Sequence, residues 1–164
     1  TPIKSSAASD VYKRQGLQTS NDRTAKLINR CYTLDEYDKT MNNLKRLDVH
    51  VVVHMIIGLP GETKQDMIST VRYIADSGAD GIKLQLLHVL KNTVLEKMYI
   101  NGEFDVLTFE EYADILCDCL MELPPDMVVH RFTGDGPKKI LVAPMWSADK
   151  KMVLNRLNRI VSDL

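Results

Sequence analysis

The chain has 164 residues, of which 45% are hydrophobic and 26% are charged, and its formal net charge is −1. This composition is typical of one ordinary globular domain. The near-neutral balance indicates no bulk attraction to nucleic acid or to an anionic membrane. No apolar run approaches the roughly 20 residues that a membrane helix needs, and the N-terminus lacks the apolar segment of a signal peptide. We therefore expect a cytoplasmic protein.

The first fifteen residues differ from the rest. They have no periodicity and few large apolar side chains, which is typical of a disordered tail. The stretch SSAASDVYKRQ within them matches the in-frame translation of a transposase sequencing adapter. We predict that residues 1–15 are a non-native, adapter-derived tail. Residues 16–164 then form the domain, and we expect them to be the C-terminal part of a longer protein.

The remaining residues predict alternating strands and helices, read from apolar runs and from apolar residues at helical spacing. In chain order they are a strand ending at 19, helices over 22–30 and 33–47, a strand over 49–57, a helix over 63–78, a strand over 81–87, a loop, helices over 93–101 and 108–123, strands over 127–133 and 140–142, and a helix over 147–162.

Helix starts carry the clearest local signals. Thr33, Thr63 and Thr108 each stand three residues before an acidic residue, the pattern of a capping box. Ser147 is the predicted cap of the last helix.

Strands that alternate with helices predict a parallel sheet. A closed β/α barrel takes about 250 residues, and the strands here suffice for about half of one. The predicted fold class is α/β: the C-terminal half of a partial (β/α) TIM-like barrel with parallel strands and an exposed sheet edge.

Polar residues follow or interrupt the apolar strands near their carboxyl ends. Folds with parallel strands bind ligands at that end of the sheet. Because charged and imidazole groups are costly to bury unpaired, we expect them to meet a partner or a ligand. The candidates are Gln18, Thr19, Ser20, Asn21, His54, Lys83, Gln85, His88, His130, Arg131, Thr133 and Asp135.

Ordinary structural roles remain open for these residues. His54 suits a core histidine bonded to a backbone carbonyl, and Lys83 suits an ion pair. The GLPGET turn after the second strand suits either a connector or an anion site. It lacks the Walker and dinucleotide-binding patterns.

Four blocks in order resemble the C-terminal half of radical S-adenosylmethionine (SAM) proteins. The blocks are GLQTSNDRTAKLINR, HMIIGLPGET, DGIKLQLLHVLKNTVLEKMY and HRFTGDGPKKILVAPMW. Within that superfamily the chain resembles a bacterial branch related to the catalytic subunit of Elongator, a tRNA-modifying enzyme. The resemblance runs from residue 16 to the last helix.

The resemblance implies a set of SAM contacts, carried over from relatives similar to coproporphyrinogen oxidase. Gln18 would contact the methionine part of SAM, and Arg30 would contact its carboxylate. His54 stands where those relatives often have an aspartate that holds the ribose hydroxyls. Ile56 would contact the adenine, and Gly58 matches the glycine that ends this strand. The guanidinium of Arg30 suits a carboxylate, the hydrogen-bonding side chain of His54 suits the ribose diol, and the apolar strand end at Ile56 suits the flat base.

The resemblance also implies a [4Fe-4S] cluster, a reductant protein and an unidentified substrate, with RNA among the candidates. Lys83 and His88 match positions of the third block, and we expect a catalytic or substrate role for them. The cluster-binding motif, three cysteines spaced C-x-x-x-C-x-x-C, is not in this sequence. Cys31, Cys117 and Cys119 have other spacings, so no metal ligand is predicted, and the helical pair is expected to give one buried and one half-exposed thiol.

Two other functions remain open. One is a cluster-free β/α-barrel enzyme that binds a phosphate ester at the GLPGET turn. The other is a non-catalytic fragment that docks through its exposed edge.

Overall fold

The structure is a computed structural model, and it describes residues 12–134 and 136–162. Asp135 and residues 1–11 of the predicted tail lie outside the described residues. The strands are β1 (Tyr12–Gln18), β2 (His50–Ile57), β3 (Gly81–Leu86), β4 (Val89–Leu90), β5 (Val128–Arg131) and β6 (Leu141–Ala143). The helices are α1 (Asp22–Leu27), α2 (Leu34–Arg46), α3 (Lys64–Asp76), α4 (Val94–Ile100), α5 (Phe109–Met121) and α6 (Lys150–Ser162).

Four strands form a parallel sheet in the order β1-β2-β3-β5. The strand β2 lies inside it, which explains why this strand is nearly all apolar. The strands β1 and β5 are its two edges among the described residues. The predicted α/β class with parallel strands is therefore confirmed.

The strand β1 begins earlier than predicted. Tyr12 and Gln15 lie in the predicted tail, yet they pair in parallel register with His50 and Val53 of β2. A ladder uses backbone groups alone, so it forms without side-chain periodicity. The expectation of disorder is wrong for these residues, whereas their adapter origin stays a prediction.

The main core lies between one face of the sheet and helices α2, α3, α5 and α6. Val53 and Met55 of β2 are buried there with Tyr37, Val71 and Leu116 of the helices. Strand side chains alternate between the two faces of a sheet, so His54 and Ile56 lie on the opposite face. We call this opposite side the inner face, since it would line the interior of a barrel.

The three predicted capping boxes are present at Thr33, Thr63 and Thr108. The predicted cap of the last helix is wrong. Ser147 lies in a 3₁₀ helix, Met145–Ala148, and Asp149 instead accepts the Met152 N–H at 3.1 Å. Asp149 is the better cap here because its carboxylate lies one residue before the first helical turn.

A second, antiparallel sheet was not predicted. The strand β4, expected as a loop, pairs with β6. With Leu59, Leu87 and Phe104, this pair forms a smaller apolar cluster beyond the carboxyl end of β2. The cluster covers one side of the strand ends where the site candidates lie. None of the helices in the described ranges has the length and apolarity to cross a bilayer.

Candidate functional site

Three of the predicted SAM residues lie on the inner face. His54 pairs with Gly16 of β1 and with Lys83 of β3, and Ile56 follows it two positions along β2. Gln18 adopts a left-handed backbone conformation with φ of 61°. Its side-chain nitrogen lies 2.5 Å from the point where a Cβ on Gly16 would stand. Gly16, the register partner of His54, therefore leaves the space that the Gln18 amide occupies.

The imidazole of His54 has a buried atom without a partner. Its Nε2 forms no hydrogen bond in the described residues and is shielded from solvent. Burial lowers the pKa of His54 below 6.5, and the charge of Lys83 lowers it further. A neutral imidazole offers one donor and one acceptor. An unpaired buried group of this kind is satisfied when a ligand hydroxyl binds.

An apolar cleft of about 390 Å³ opens beside Ile56 at the carboxyl end of β2. Its walls come from the end of α1, the GLPGET turn and α4. The lining residues include Leu27, Ile28, Ile56, Leu59, Leu87 and Met98. A cleft with these walls suits a flat apolar group such as a purine base.

The turn after β2 needs its first glycine. Gly58 has a φ of 90°, and a Cβ there would lie 3.0 Å from a methyl carbon of Leu107. Its N–H donates to the Met67 sulfur at 3.4 Å. The Thr63 N–H donates to the Asp66 carboxylate at 2.8 Å. These amides are already used, and the Asp66 carboxylate repels anions, so the turn is a poor phosphate site.

Glu62 ties this turn to the end of β1. Its Oε1 accepts the hydroxyl of Thr19, and that hydroxyl accepts the Asn21 N–H at 2.9 Å. The other carboxyl oxygen is buried and has no partner in the described ranges. Burial raises the pKa of Glu62 above 4.5. No role of Glu62 could be predicted from local patterns, because its partner Thr19 lies 43 positions away.

Arg30 holds the end of β1. Its Nη1 donates to the carbonyls of Leu17 and Thr19 at 3.0 and 2.6 Å, and its Nε donates to the carbonyl of Tyr32 at 3.1 Å. Its Nη2 lies 3.8 Å from Oδ1 of Asp22, and the Arg30 side chain is only 3% exposed. The predicted carboxylate contact could use Nη2 alone.

Lys83 and His88 occupy separate places. Lys83 lies on the inner face beside His54, and its Nζ is 5.7 Å from the centre of the Tyr12 ring. The strand β3 ends at Leu86, which lies about 10 Å along the strand from Lys83. His88 follows two residues after that end. The two residues therefore do not form one catalytic pair across a short distance.

Two glycines enclose the ring of His88. A Cβ on Gly134 would lie 2.5 Å from Cε1, and one on Gly136 would lie 2.8 Å from Cδ2. Ser147 donates its hydroxyl proton to the Pro144 carbonyl at 2.8 Å, so it accepts from His88 Nε2 at 3.1 Å. This network assigns the proton of a neutral His88 to Nε2.

Strand β5 adds His130 and Arg131 near Lys83. Val129 pairs with Ile82 and Arg131 with Lys83, so His130 is the extra residue of a bulge. A bulge turns consecutive side chains toward one face of a sheet. His130 lies over Gly81, where a Cβ would approach its ring to 2.7 Å, and Arg131 is close enough to lower the pKa of His54. The sequence named both as strand-end candidates, but a bulge depends on partner register and cannot be read from one strand.

The cysteines do not fit an iron–sulfur cluster. Cys119 is buried, Cys117 is half-buried on the same helix, and Cys31 is exposed after α1, which confirms the predicted burial of the helical pair. Burial raises the pKa of Cys119 to about 12, whereas a cluster ligand must be a thiolate. Within residues 12–134 and 136–162, no three His, Cys, Asp or Glu side chains are grouped to hold a metal.

Comparison with solved structures gives the same architecture. The archaeal Methanocaldococcus infernus Elp3 with an N-terminal deletion superposes with a TM-score of 0.76 and 21% identity. The match covers 91% of this chain and 36% of that one. At this identity, the likeness establishes the fold.

Sequence comparison identifies relatives. YtqA of Bacillus subtilis strain 168 is 42% identical over 144 residues, which cover 88% of this chain and 45% of YtqA. A tRNA-2-methylthio-N(6)-dimethylallyladenosine synthase of Buchnera aphidicola is 32% identical over 66 residues, or 39% of this chain and 15% of the synthase. The chain spans about half the length of the curated relatives that it matches along most of its sequence.

Family models cover nearly all of the described chain. The Radical SAM superfamily model matches residues 15–74, and the Radical_SAM C-terminal domain model matches residues 79–162. Together with the fold and the inner-face site, these matches show that the chain belongs to the radical SAM superfamily.

Proposed function

We propose that this chain supplies the SAM-binding side of a radical SAM enzyme. In the complete enzyme, SAM would be cleaved reductively at a [4Fe-4S] cluster to start radical chemistry on a substrate. The observation that carries the proposal is the buried Nε2 of His54, which has no partner among the described residues and belongs to a residue two positions before Ile56 on β2. A polar atom in that position is satisfied by a ligand hydroxyl.

Each residue of the site suits one part of SAM. The neutral His54 binds a ribose hydroxyl through Nε2, and the apolar cleft at Ile56 takes the adenine. Gln18 offers its amide to the methionine part from the space above Gly16. Gly58 lets the chain turn sharply at the end of β2, so the backbone there lies close to the base.

Arg30 has two tasks in this proposal. Its Nε and Nη1 hold the end of β1, which fixes the backbone of Gln18. Its Nη2 would bind the SAM carboxylate in place of Asp22, whose side chain is 69% exposed and free to move away.

The cluster and its reductant come from outside the described residues. When bound, a [4Fe-4S] cluster supplies the electron for SAM cleavage. The cysteines of this chain do not suit it, so we assign no step to them. An electron-donor protein is the expected partner.

The substrate side of the site is the part of the inner face beyond His54. Lys83 lies next to His54 in the sheet and is half-exposed, so it can contact a substrate bound beside SAM. His88 lies beyond the end of β3, where its Nε2 is 3.1 Å from the Ser147 hydroxyl, so a substrate role for it concerns the strand ends rather than the inner face beside Lys83. RNA is a candidate substrate because one relative is named as a tRNA-modifying synthase.

The proposal is tested on the complete gene product. After anaerobic reconstitution with iron and sulfide and addition of dithionite, it should convert SAM to 5′-deoxyadenosine. His54→Leu should weaken SAM binding by about fivefold, since one net hydrogen bond contributes about 1 kcal/mol. His50→Leu is the matched control, since it changes an exposed histidine of the same strand. Absence of SAM cleavage would refute the enzyme, and equal effects of the two variants would refute the placement of SAM.

A further inference from the structure

The hydroxyl of Tyr32 lies at the inner face, close to the Gln18 amide. Tyr32 follows α1 in the chain and is half-buried. Its hydroxyl oxygen lies 3.8 Å from the point where a Cβ on Gly16 would stand, and Nε2 of Gln18 lies 2.5 Å from the same point. Because Gly16 is the register partner of His54, side chains at these two positions point to the same face of the sheet. Tyr32 therefore brings a polar group to the face where SAM is proposed to bind.

Arg30 fixes the position of Tyr32. Its Nε donates to the Tyr32 carbonyl at 3.1 Å, and its guanidinium carbon lies 5.0 Å from the centre of the Tyr32 ring. A guanidinium above an aromatic ring is attracted by the electrons of the ring. The carbonyls of Leu17 and Thr19 hold the same guanidinium from the other side of the contact. The ring of Tyr32 therefore rests on a side chain that is itself held in place.

The Tyr32 hydroxyl has no hydrogen-bond partner within residues 12–134 and 136–162. The other tyrosine hydroxyls at the main core do have partners there: Tyr37 bonds to Ser77, Tyr73 to Asp38 and Tyr112 to the Phe132 carbonyl. Burial raises the pKa of Tyr32 above 10, although the charge of Arg30 opposes this rise. The hydroxyl therefore keeps its proton at neutral pH and can donate it to a ligand.

A carboxylate bound at Arg30 would receive only one hydrogen bond from it. Arg30 uses Nε and Nη1 on backbone carbonyls, which leaves Nη2 for the SAM carboxylate. A carboxylate has two acceptor oxygens and is commonly held by more than one donor. We propose that the Tyr32 hydroxyl donates a hydrogen bond to the methionine carboxylate of SAM, beside Arg30 and the Gln18 amide. This proposal rests on the proposed function and adds a binding residue to it.

The Tyr32 hydroxyl would then help to distinguish SAM from ligands that lack the carboxylate. 5′-Methylthioadenosine keeps the adenine, the ribose and a sulfur atom but has no amino-acid part. It can use the cleft at Ile56 and the imidazole of His54, yet it leaves the Tyr32 hydroxyl without a partner. We therefore expect the parent protein to bind this analogue more weakly than SAM.

The test measures both affinities by anaerobic isothermal titration of the reconstituted complete gene product. Tyr32→Phe removes the hydroxyl and keeps the ring over Arg30, and circular dichroism checks that the fold is retained. The variant should bind SAM about 10- to 100-fold more weakly, because a hydrogen bond to a charged group contributes at about that level. Its affinity for 5′-methylthioadenosine should equal that of the parent.

Tyr99→Phe is the matched control. It removes a half-buried hydroxyl on α4 that also has no hydrogen-bond partner in the described part of the chain, and it should leave both affinities unchanged. If the parent binds SAM and Tyr32→Phe binds it equally well, this proposal alone is overturned. Equal losses for SAM and the analogue would also overturn it, since the hydroxyl would then act elsewhere than on the carboxylate. A parent protein that binds neither ligand would overturn the proposed function, and this proposal with it.

Discussion

Replacing Arg30 by methionine should destabilise the protein more than any change to an exposed arginine. Two carbonyls, those of Thr19 and Tyr32, would lose a charged donor at 2.6 and 3.1 Å. The Leu17 carbonyl keeps the Thr19 N–H at 2.8 Å, so it loses less. Each hydrogen bond to a charged group contributes about 1.5–3 kcal/mol, and removal of a buried guanidinium returns part of this. We expect a net loss of about 2–4 kcal/mol in the free energy of unfolding.

Urea unfolding followed by circular dichroism measures this loss. With a slope of about 1–3 kcal/mol per molar urea, the midpoint should fall by about 1–2 M. Arg23→Met is the matched control, since it removes an exposed arginine from α1, and it should change stability by less than about 0.5 kcal/mol. A loss below about 1 kcal/mol in Arg30→Met would refute the reasoning. The three carbonyls would then be satisfied by water, and Arg30 would be available for a ligand.

Three further changes probe the ends of the strands. Glu62→Gln should keep the bond to Thr19 and raise the melting temperature at pH 7. A buried carboxyl with a raised pKa contributes its full stability only below about pH 4.5 and loses it as the pH rises, so the gain should shrink at pH 4. Gly134→Ala should cost about 1–3 kcal/mol in urea unfolding and shift the ring resonances of His88, because its Cβ would overlap that ring. Gly16→Ala should cost less than about 1 kcal/mol, since the Gln18 side chain can move aside, yet calorimetry should show weaker SAM binding.

Each of these changes has a result that would contradict it. Equal melting temperatures of Glu62→Gln and the parent at pH 7 would mean that the carboxyl is solvated. Unchanged His88 resonances in Gly134→Ala would mean that the loop at residue 134 moves to make room for the methyl group and the His88 ring stays in place. Unaltered SAM affinity in Gly16→Ala would remove Gln18 from the proposed site.

The helix starts could be predicted because their causes are local. The capping boxes at Thr33, Thr63 and Thr108 involve residues three positions apart, and all are present. Ser147 does not cap the last helix, because its hydroxyl donates to the Pro144 carbonyl and contacts Nε2 of His88. His88 lies 59 positions away in the sequence. A local pattern cannot show such competition.

The residues of the candidate site could be predicted from the pattern within each strand, whereas their neighbours on adjacent strands could not. Alternation placed His54 and Lys83 among apolar neighbours, and their shared face follows from a parallel register. The position of Arg131 beside Lys83 depends on a bulge in β5, which no spacing within the strand reveals. The net charge of −1 gives no information on where charges lie, so it did not reveal that Lys83 and Arg131 are register partners.

The pairing of Tyr12 with His50 has a consequence for the ancestry of this strand. Backbone ladders do not distinguish native from foreign sequence, so a strand at a sheet edge can be extended by any residues that tolerate the extended conformation. Side chains do make the distinction. The ring of Tyr12 lies 5.7 Å from the Lys83 ammonium and 5.4 Å from the His130 ring. If residues 1–15 come from an adapter, the aromatic ring that contacts the lysine through a cation–π interaction is an acquired one.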